Sequence, residues 1–302
     1  MHRVLTLLII TAIGVSGVFA HGSNSHFAQT QDVTVKTTKV SGNVYMLQGR
    51  GGNIGALVGM EGILIVDDDY RQVSEKLSAA LKELGSASPK YVLNTHWHGD
   101  HTQGNEFFGK ASTIIAHSNV RKRMSELQTN TFFKSTTPPS PVAAWPVVTY
   151  TESISIFFNG EEVKAVHFPS GHTDGDTVVF FVKANVVHLG DDFFVGRFPY
   201  VDLDSGGNVQ GLINNIATLI RQIPADAKLI PGHGQVSTLD DLKAYHQIMV
   251  ETAKIVQDAM KAGKSLDEIK KAGLPEKFKE AGSGFIKTDQ WIEIIHKSYS
   301  RK

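Results

Sequence analysis

Thr95-His96-Trp97-His98-Gly99-Asp100-His101 places three of the chain's thirteen histidines within six residues. His96 and His98 are two apart. In an extended segment residues two apart point the same way, so this pair can grip one metal ion. Gly99 permits a tight bend. Asp100 and His101 then face a second direction and can grip a second ion. Just upstream, Tyr91-Val92-Leu93 reads as a short buried strand that gives the loop a rigid base.

Three later segments supply what such a site still lacks. Ser170-Gly171-His172-Thr173-Asp174-Gly175-Asp176 carries a histidine in a Gly-flanked turn. Leu189-Gly190-Asp191-Asp192 carries a carboxylate at the end of an apolar run. Pro231-Gly232-His233-Gly234 carries another histidine after a short one. Each sits where a predicted strand gives way to a loop, and loops on a rigid scaffold are where sites are built. Taken singly, His172, Asp191 and His233 are ordinary loop residues. Beside the His96 to His101 cluster they complete a ligand set. His117, His167, His188, His246 and His296 have no such partner spacing and read as structural.

Around these segments the chain alternates between two hydrophobic periods. Val33 to Val40, Val44 to Leu47, Ile54 to Val58 and Ile63 to Val66 are short and β-rich, with glycines between them. Val73, Leu77, Leu81 and Leu84 have helical spacing, and Ser118 to Leu127 reads as a further helix. Ser112 to Ala116, Val163 to Phe168, Thr177 to Val182 and Asn185 to Leu189 are expected strands. Gly211 to Arg221, Leu239 to Met260 and Gln290 to Ser298 are expected helices, with another opening at Ser265. Thr136 to Pro146 holds four of the ten prolines and reads as a surface loop. The order predicts an α/β fold: a four-layer αβ/βα sandwich of two mixed β-sheets flanked by helices. There is no internal repeat of residue identity.

Composition bounds the rest. Of 302 residues, 41% are apolar and 20% charged, which suits a sizeable core. Lys+Arg and Asp+Glu both number 30, so charge balance gives no reason to expect nucleic acid or an anionic membrane as partner. The expected partner is a small-molecule substrate, and the sequence indicates no oligomeric state. There is no cysteine, hence no disulfide and no thiolate ligand. His2 and Arg3, the apolar run Val4 to Val18 and Val18-Phe19-Ala20 read as a cleavable signal peptide over residues 1–20. An uncleaved anchor is the alternative. The expected organisation is that signal, a flexible segment over 21–32, a catalytic domain over 33–237 and a helical extension over 238–302. The expected location is secreted or periplasmic, away from the membrane once the signal is removed.

The motifs together resemble the metallo-β-lactamase superfamily. His96-Trp97-His98-Gly99-Asp100-His101 matches its H-x-H-x-D-H motif, and Gly171-His172-Thr173, Gly190-Asp191 and Gly232-His233-Gly234 match its later ligand segments in order. Gly62-Ile63-Leu64-Ile65-Val66-Asp67 is similar to its early strand ending in a bracing aspartate, and Asn53 resembles the asparagine of the preceding hairpin. The resemblance covers about residues 40 to 235.

By position, it implies that His96, His98 and His172 bind one ion, that Asp100, His101 and His233 bind another, and that Asp191 bridges them. Imidazole and carboxylate suit Zn2+, two per chain, and also iron or manganese. The implied chemistry is attack of metal-supplied hydroxide on an ester, thioester, lactone or lactam, with Asp100 orienting the hydroxide and moving its proton. Asp191 with the full motif is closer to the thioesterase, lactonase and glyoxalase II branches, whereas an export signal is typical of the β-lactamases. A true β-lactamase is therefore one alternative, and a mono-iron enzyme similar to sulfur dioxygenases is another. Arg197, in the stretch Arg197 to Asp202, is expected near the mouth, where it could meet a substrate carboxylate. Trp97 is expected to pack beneath the metals.

Overall fold

The computed structural model describes residues 33–301. The expected signal peptide and the segment 21–32 lie outside the described residues. Four antiparallel strands open the fold: β1 (Lys36–Ser41), β2 (Val44–Gln48), β3 (Ile54–Gly59) and β4 (Gly62–Val66). Helix α1 (Ser74–Leu84) returns the chain to β5 (Tyr91–Asn94), parallel to β4. Two single-turn helices, α2 (Gly99–Thr102) and α3 (Asn105–Phe108), lead to β6 (Thr113–His117) and α4 (Ser118–Ser125). A polar hairpin, β7 (Gln128–Asn130) and β8 (Ser135–Thr137), pairs only with itself. Then β9 (Val148–Tyr150) joins the far edge of the first sheet.

The second sheet runs β10 (Ser153–Phe158), β11 (Glu161–His167), β12 (Thr177–Phe181) and β13 (Val186–His188), all antiparallel. Helix α5 (Val209–Gln222) crosses over to β14 (Lys228–Ile230), parallel to β13. Helices α6 (Leu239–Lys261), α7 (Leu266–Ala272) and α8 (Thr288–Ser300) complete the chain. Both α6 and α7 start at a reciprocal cap, Thr238 with Asp241 and Ser265 with Glu268, which satisfies backbone N–H groups that the first turn leaves free.

Strand alternation assigns the layers. In β4, Leu64 and Val66 face the second sheet, where they pack with Val179, Phe181 and Ile230. Ile63 and Ile65 face the other way, onto Leu77 and Leu81 of α1. Across the sandwich, Val186 of β13 points inward, while Val187 points outward to Leu212 and Ile216 of α5 and to helices α6 and α8. Two sheets apolar on both faces thus require helices on both outer sides, the αβ/βα order expected from the sequence.

Trp291 of α8 is fully buried in the outer cluster, stacks on Phe198 and donates its indole N–H to Thr252 of α6 at 2.9 Å. Emptying that volume with Trp291→Ala would cost about 3–5 kcal/mol.

The expected strand from Val33 begins only at Lys36, and the helix from Ser118 ends at Ser125 because Glu126 is extended. The Pro-rich stretch contains part of β8 and a 3-10 turn, Val142–Ala144. The strand β10 is absent from the sequence expectations.

Candidate metal centre

Every candidate ligand sits just beyond the end of a strand, at one rim of the sandwich. The loop after β5 carries His96 and His98, and α2 carries Asp100 and His101. His172 follows β11, Asp191 follows β13 and His233 follows β14. The structure brings all seven together as two groups, His96, His98, His172 and Asp191 on one side and Asp100, His101 and His233 on the other. Ligand atoms in each group lie within 4.8 Å of one another.

Asp191 faces both. Its Oδ2 lies 3.5 Å from His172 Nε2 and 3.8 Å from His96 Nε2, while its Oδ1 lies 3.1 Å from His101 Nε2 and 3.4 Å from His233 Nε2. Asp100 Oδ2 is 3.2 Å from His233 Nε2 and 3.6 Å from His101 Nε2. His98 approaches with its other nitrogen: Nδ1 is 2.8 Å from His172 Nε2 and 3.1 Å from His96 Nε2.

In four of the five histidines the ring nitrogen that points away from the cluster is held. Thr95 Oγ1 lies 3.0 Å from His96 Nδ1, Asp202 Oδ2 lies 2.9 Å from His98 Nε2, and the Tyr200 carbonyl accepts from His172 Nδ1 at 2.7 Å. Asp67 Oδ2 takes His101 Nδ1 at 2.8 Å. Such outer partners fix the ring orientation and the tautomer that offers a lone pair inward. Asp67 does so from a left-handed backbone (φ 65°) and also accepts from the Thr95 backbone N–H and hydroxyl. It therefore holds His101 directly and reaches His96 through Thr95.

Asn53 does not touch the cluster. Its side-chain amide donates to the carbonyls of Pro231 and Gly234, tying the β2–β3 turn to the His233 loop. Phe194 stacks on the His233 ring with centroids 5.3 Å apart. Two glycines are required by close approach: a Cβ on Gly52 would sit 2.1 Å from the His101 ring, and one on Gly232 would sit 2.0 Å from Asp191 Oδ1. The Gly-flanked loop at His172 is closed by Asp176, whose carboxylate accepts from the Thr173 backbone N–H at 2.9 Å and from its hydroxyl.

Electrostatics divide the cluster. Burial pushes His172 down to about 4 and His96 well below the ordinary histidine value, so both rings are neutral and free to offer lone pairs. Burial opposes a proton on His101 and His233 too, but the carboxylates win. Asp191, Asp100 and Asp67 hold His101 well above the ordinary value, and Asp191 with Asp100 raises His233 to about 9. In turn, despite burial, His101 and His233 pull Asp100 down to about 2 and hold Asp191 well below the carboxylate range.

The residues fit metal ions. His101 Nε2 and Asp191 Oδ1 are buried and make no hydrogen bond of acceptable geometry, yet both aim into the cluster. A buried polar atom without a partner costs free energy that a coordinated cation removes. The donor set of five imidazoles and two carboxylates suits divalent transition metals.

The cluster floors a cavity of about 470 Å³. Trp97, Phe133, Phe194, Tyr200 and Phe285 supply aromatic wall, and Arg50 and Arg197 stand among the lining residues. Arg197 is half-buried and touches no ligand candidate; its Nε–H meets the Val195 carbonyl at 3.4 Å. Trp97 both lines the cavity and packs on the cluster of Ala116, Val120, Met124 and Ala144. The sequence reading does not single out Asp202, Tyr200 or Thr95 as partners of the ligands. Their local signal is a polar residue in a loop, and only the folded chain pairs them with histidines.

Two mixed sheets between helices, with paired His/Asp groups at one rim that could hold metal ions, define an α/β sandwich. A model of the metallo-beta-lactamase superfamily matches residues 37–244, and the chain belongs to that superfamily. Its members are mostly metal-dependent hydrolases and typically bind divalent metals. DIM-1 metallo-beta-lactamase shares the fold with a TM-score of 0.59 at 17% identity, covering 74% of this chain and 100% of its own. A metallo-beta-lactamase from Pontibacter korlensis gives 0.58 at 16%, covering 72% and 99%. A double mutant of the sec-alkyl sulfatase PisA1 gives 0.67 at 14%, covering 88% of this chain and 50% of that one. In sequence, an uncharacterized protein of Aquifex aeolicus (strain VF5) is 31% identical over 101 residues, 33% of this chain; the match spans about half (47%) of that relative.

Proposed function

We propose that this chain is an exported, dinuclear zinc hydrolase that cleaves an ester, thioester, lactone or lactam bond in a small molecule. The observation that carries the reading is Asp191, with one carboxylate oxygen toward each histidine group. That placement supports two ions side by side rather than one. His96, His98 and His172 would hold the first, and Asp100, His101 and His233 the second. When bound, two divalent ions lower the pKa of water and polarise a carbonyl.

The chain's own residues do the rest. Thr95, Asp67, Asp202 and the Tyr200 carbonyl keep the rings aimed. The aromatic walls limit bulk water around the scissile bond. The Asp100 carboxylate, partly open to the cavity, takes the proton of the attacking water and passes it to the departing oxygen, sulfur or nitrogen. Water adds to the carbonyl carbon, the bond to the leaving group breaks, and the leaving group departs with that proton. The cavity size supports a small-molecule substrate. The apolar run Val4 to Val18 supports export.

Metal analysis beside turnover of a lactone, thioester, aryl ester and cephalosporin panel tests the reading. An alkyl sulfate joins the panel, because a sec-alkyl sulfatase is among the similar folds. Two zinc per chain with hydrolysis lost in Asp191→Ala supports it. A metal-loaded protein that turns over none of the panel counts against it.

A further inference from the structure

Two phenylalanines stand at the cavity mouth with much of their ring surface in solvent. Phe285 is 69% exposed and Phe133 is 39% exposed. They come from distant parts of the chain, Phe133 from the turn of the β7–β8 hairpin and Phe285 from the approach to α8, beyond the residues that the superfamily model matches. Their ring centroids nonetheless lie 5.6 Å apart, and both line the cavity that holds His98, His172, Asp191 and His233.

The segments that carry both rings are anchored to the rest of the fold. The hairpin has no apolar core of its own, and its polar residues anchor it to the cavity wall. Asn130 donates to the Tyr200 hydroxyl at 2.6 Å, Thr131 donates to Asp204 through both its backbone N–H and its hydroxyl, and the Phe133 N–H donates to Asn130 Oδ1. The Phe133 ring then lies 4.9 Å from that of Tyr200. On the other side, Ile286 is buried, the Ala281 carbonyl accepts from the Phe198 N–H at 3.0 Å, and Gly284 packs against Arg197. Surfaces that stay apolar, exposed and pre-positioned mark a place where apolar matter binds. The pair opens onto the ligand cluster, so a molecule reacting there would extend its remaining portion between these rings.

We propose that Phe133 and Phe285 form an aromatic clamp that selects substrates with an apolar acyl or aryl arm. The clamp grips that arm while the scissile bond lies over the ligand cluster. The chemistry rests on the hydrolase reading above; the binding does not.

Two measurements separate the two. Calorimetric titration of octanoate into the chelator-stripped protein reads the clamp without catalysis. Saturable binding is expected, with octanoate far ahead of acetate. Affinity for octanoate should fall at least about tenfold in Phe133→Ala/Phe285→Ala and be largely kept in Phe285→Leu. Phe285→Ala alone, at a mostly exposed side chain, keeps the test meaningful if the hairpin variant fails to fold. Kinetics on the zinc-loaded protein should show a p-nitrophenyl octanoate over acetate preference that collapses by at least about tenfold in Phe133→Ala/Phe285→Ala and is largely kept in Phe285→Leu.

Octanoate binding that depends on the phenylalanines, without turnover of any ester, would leave the clamp standing and sink the hydrolase. Ester turnover with no chain-length preference, together with equal octanoate binding by wild type and variants, would overturn the clamp alone. A dimer in sedimentation that Phe285→Ala abolishes at unchanged octanoate affinity would also overturn it, by making the pair a subunit contact.

Discussion

The two ends of the ligand cluster share Asp191 but differ in charge. His96 and His172 are buried among other histidines and held neutral. His101 and His233 face Asp100 and Asp191 and hold protons when no metal is bound. The first end is a nitrogen-rich pocket ready for a cation. The second is an ion-paired network in which a cation must replace protons. The same residue types thus make two sites of different character, because one carboxylate, Asp100, lies on only one side. Exposure varies within both ends: His96 and His172 are each 1% exposed beside His98 at 15%, and His101 is 0% exposed beside Asp100 at 22% and His233 at 21%.

The largest expected effect strikes what the two ends share. Asp191→Ala should drop metal content below two per chain and lower turnover by roughly 10³-fold. Two retained ions with turnover within about tenfold of wild type would mean that Asp191 is no bridge.

Next comes pH. His233, raised to about 9, takes up its proton in the metal-free protein throughout neutral pH, so binding at the second end releases protons. Affinity there should rise with pH toward 9, by about tenfold per unit for each proton released. His96 and His172 are already neutral, so these two ligands release no proton when the first end binds an ion between pH 6 and 8. Chelator competition at several pH values reads the two steps. Stability of the metal-free protein follows the same signs. The raised His233 contributes stability that is full below about 6.5 and lost as pH rises through about 9. His172, depressed to about 4, makes the fold lose stability as pH falls from about 6.5 toward 4. Identical pH slopes for both metal steps would erase the distinction.

The outer partners should separate the ends by mutation. Asp67→Asn should weaken the second ion by about 10–100-fold and Asp202→Asn the first by a similar factor, because each carboxylate directly meets the ring of one ligand. Asp67→Asn should also lower the melting temperature, since one of the two carboxylate oxygens that accept from Thr95 becomes an amide NH2 donor. Smallest is Asn53→Ala. It removes two hydrogen bonds to the His233 loop, costs about 1–3 kcal/mol of stability and leaves the first ion unaffected.

The same contrast explains what was legible in the sequence. The ligands cluster in short motifs with tight turns, so local spacing announces them, and the fold announces itself through two-faced apolar strands such as Ile63 to Val66. Of the residues that orient the rings, Asp67 is legible as the aspartate that ends the run from Gly62, whereas Asp202 and Tyr200 carry no such signal. Asp202 and Tyr200 lie within the stretch expected at the cavity mouth, yet nothing local distinguishes Asp202 from a turn aspartate, and Tyr200 acts through its backbone carbonyl. The β7–β8 hairpin is polar on both faces and pairs with neither sheet, so hydrophobic period cannot find it. β10 was readable: Ile154, Ile156 and Phe158 alternate with exposed residues. Phe285 lies far from every motif, and only the fold returns it to the cavity.

The most direct test is the metal content of the protein, purified without added metal and measured by mass spectrometry beside its turnover of the ester, lactone and cephalosporin panel. The account predicts two zinc ions per chain and hydrolysis of at least one carbonyl substrate. One iron per chain with no hydrolysis would contradict it and favour redox chemistry on the same fold.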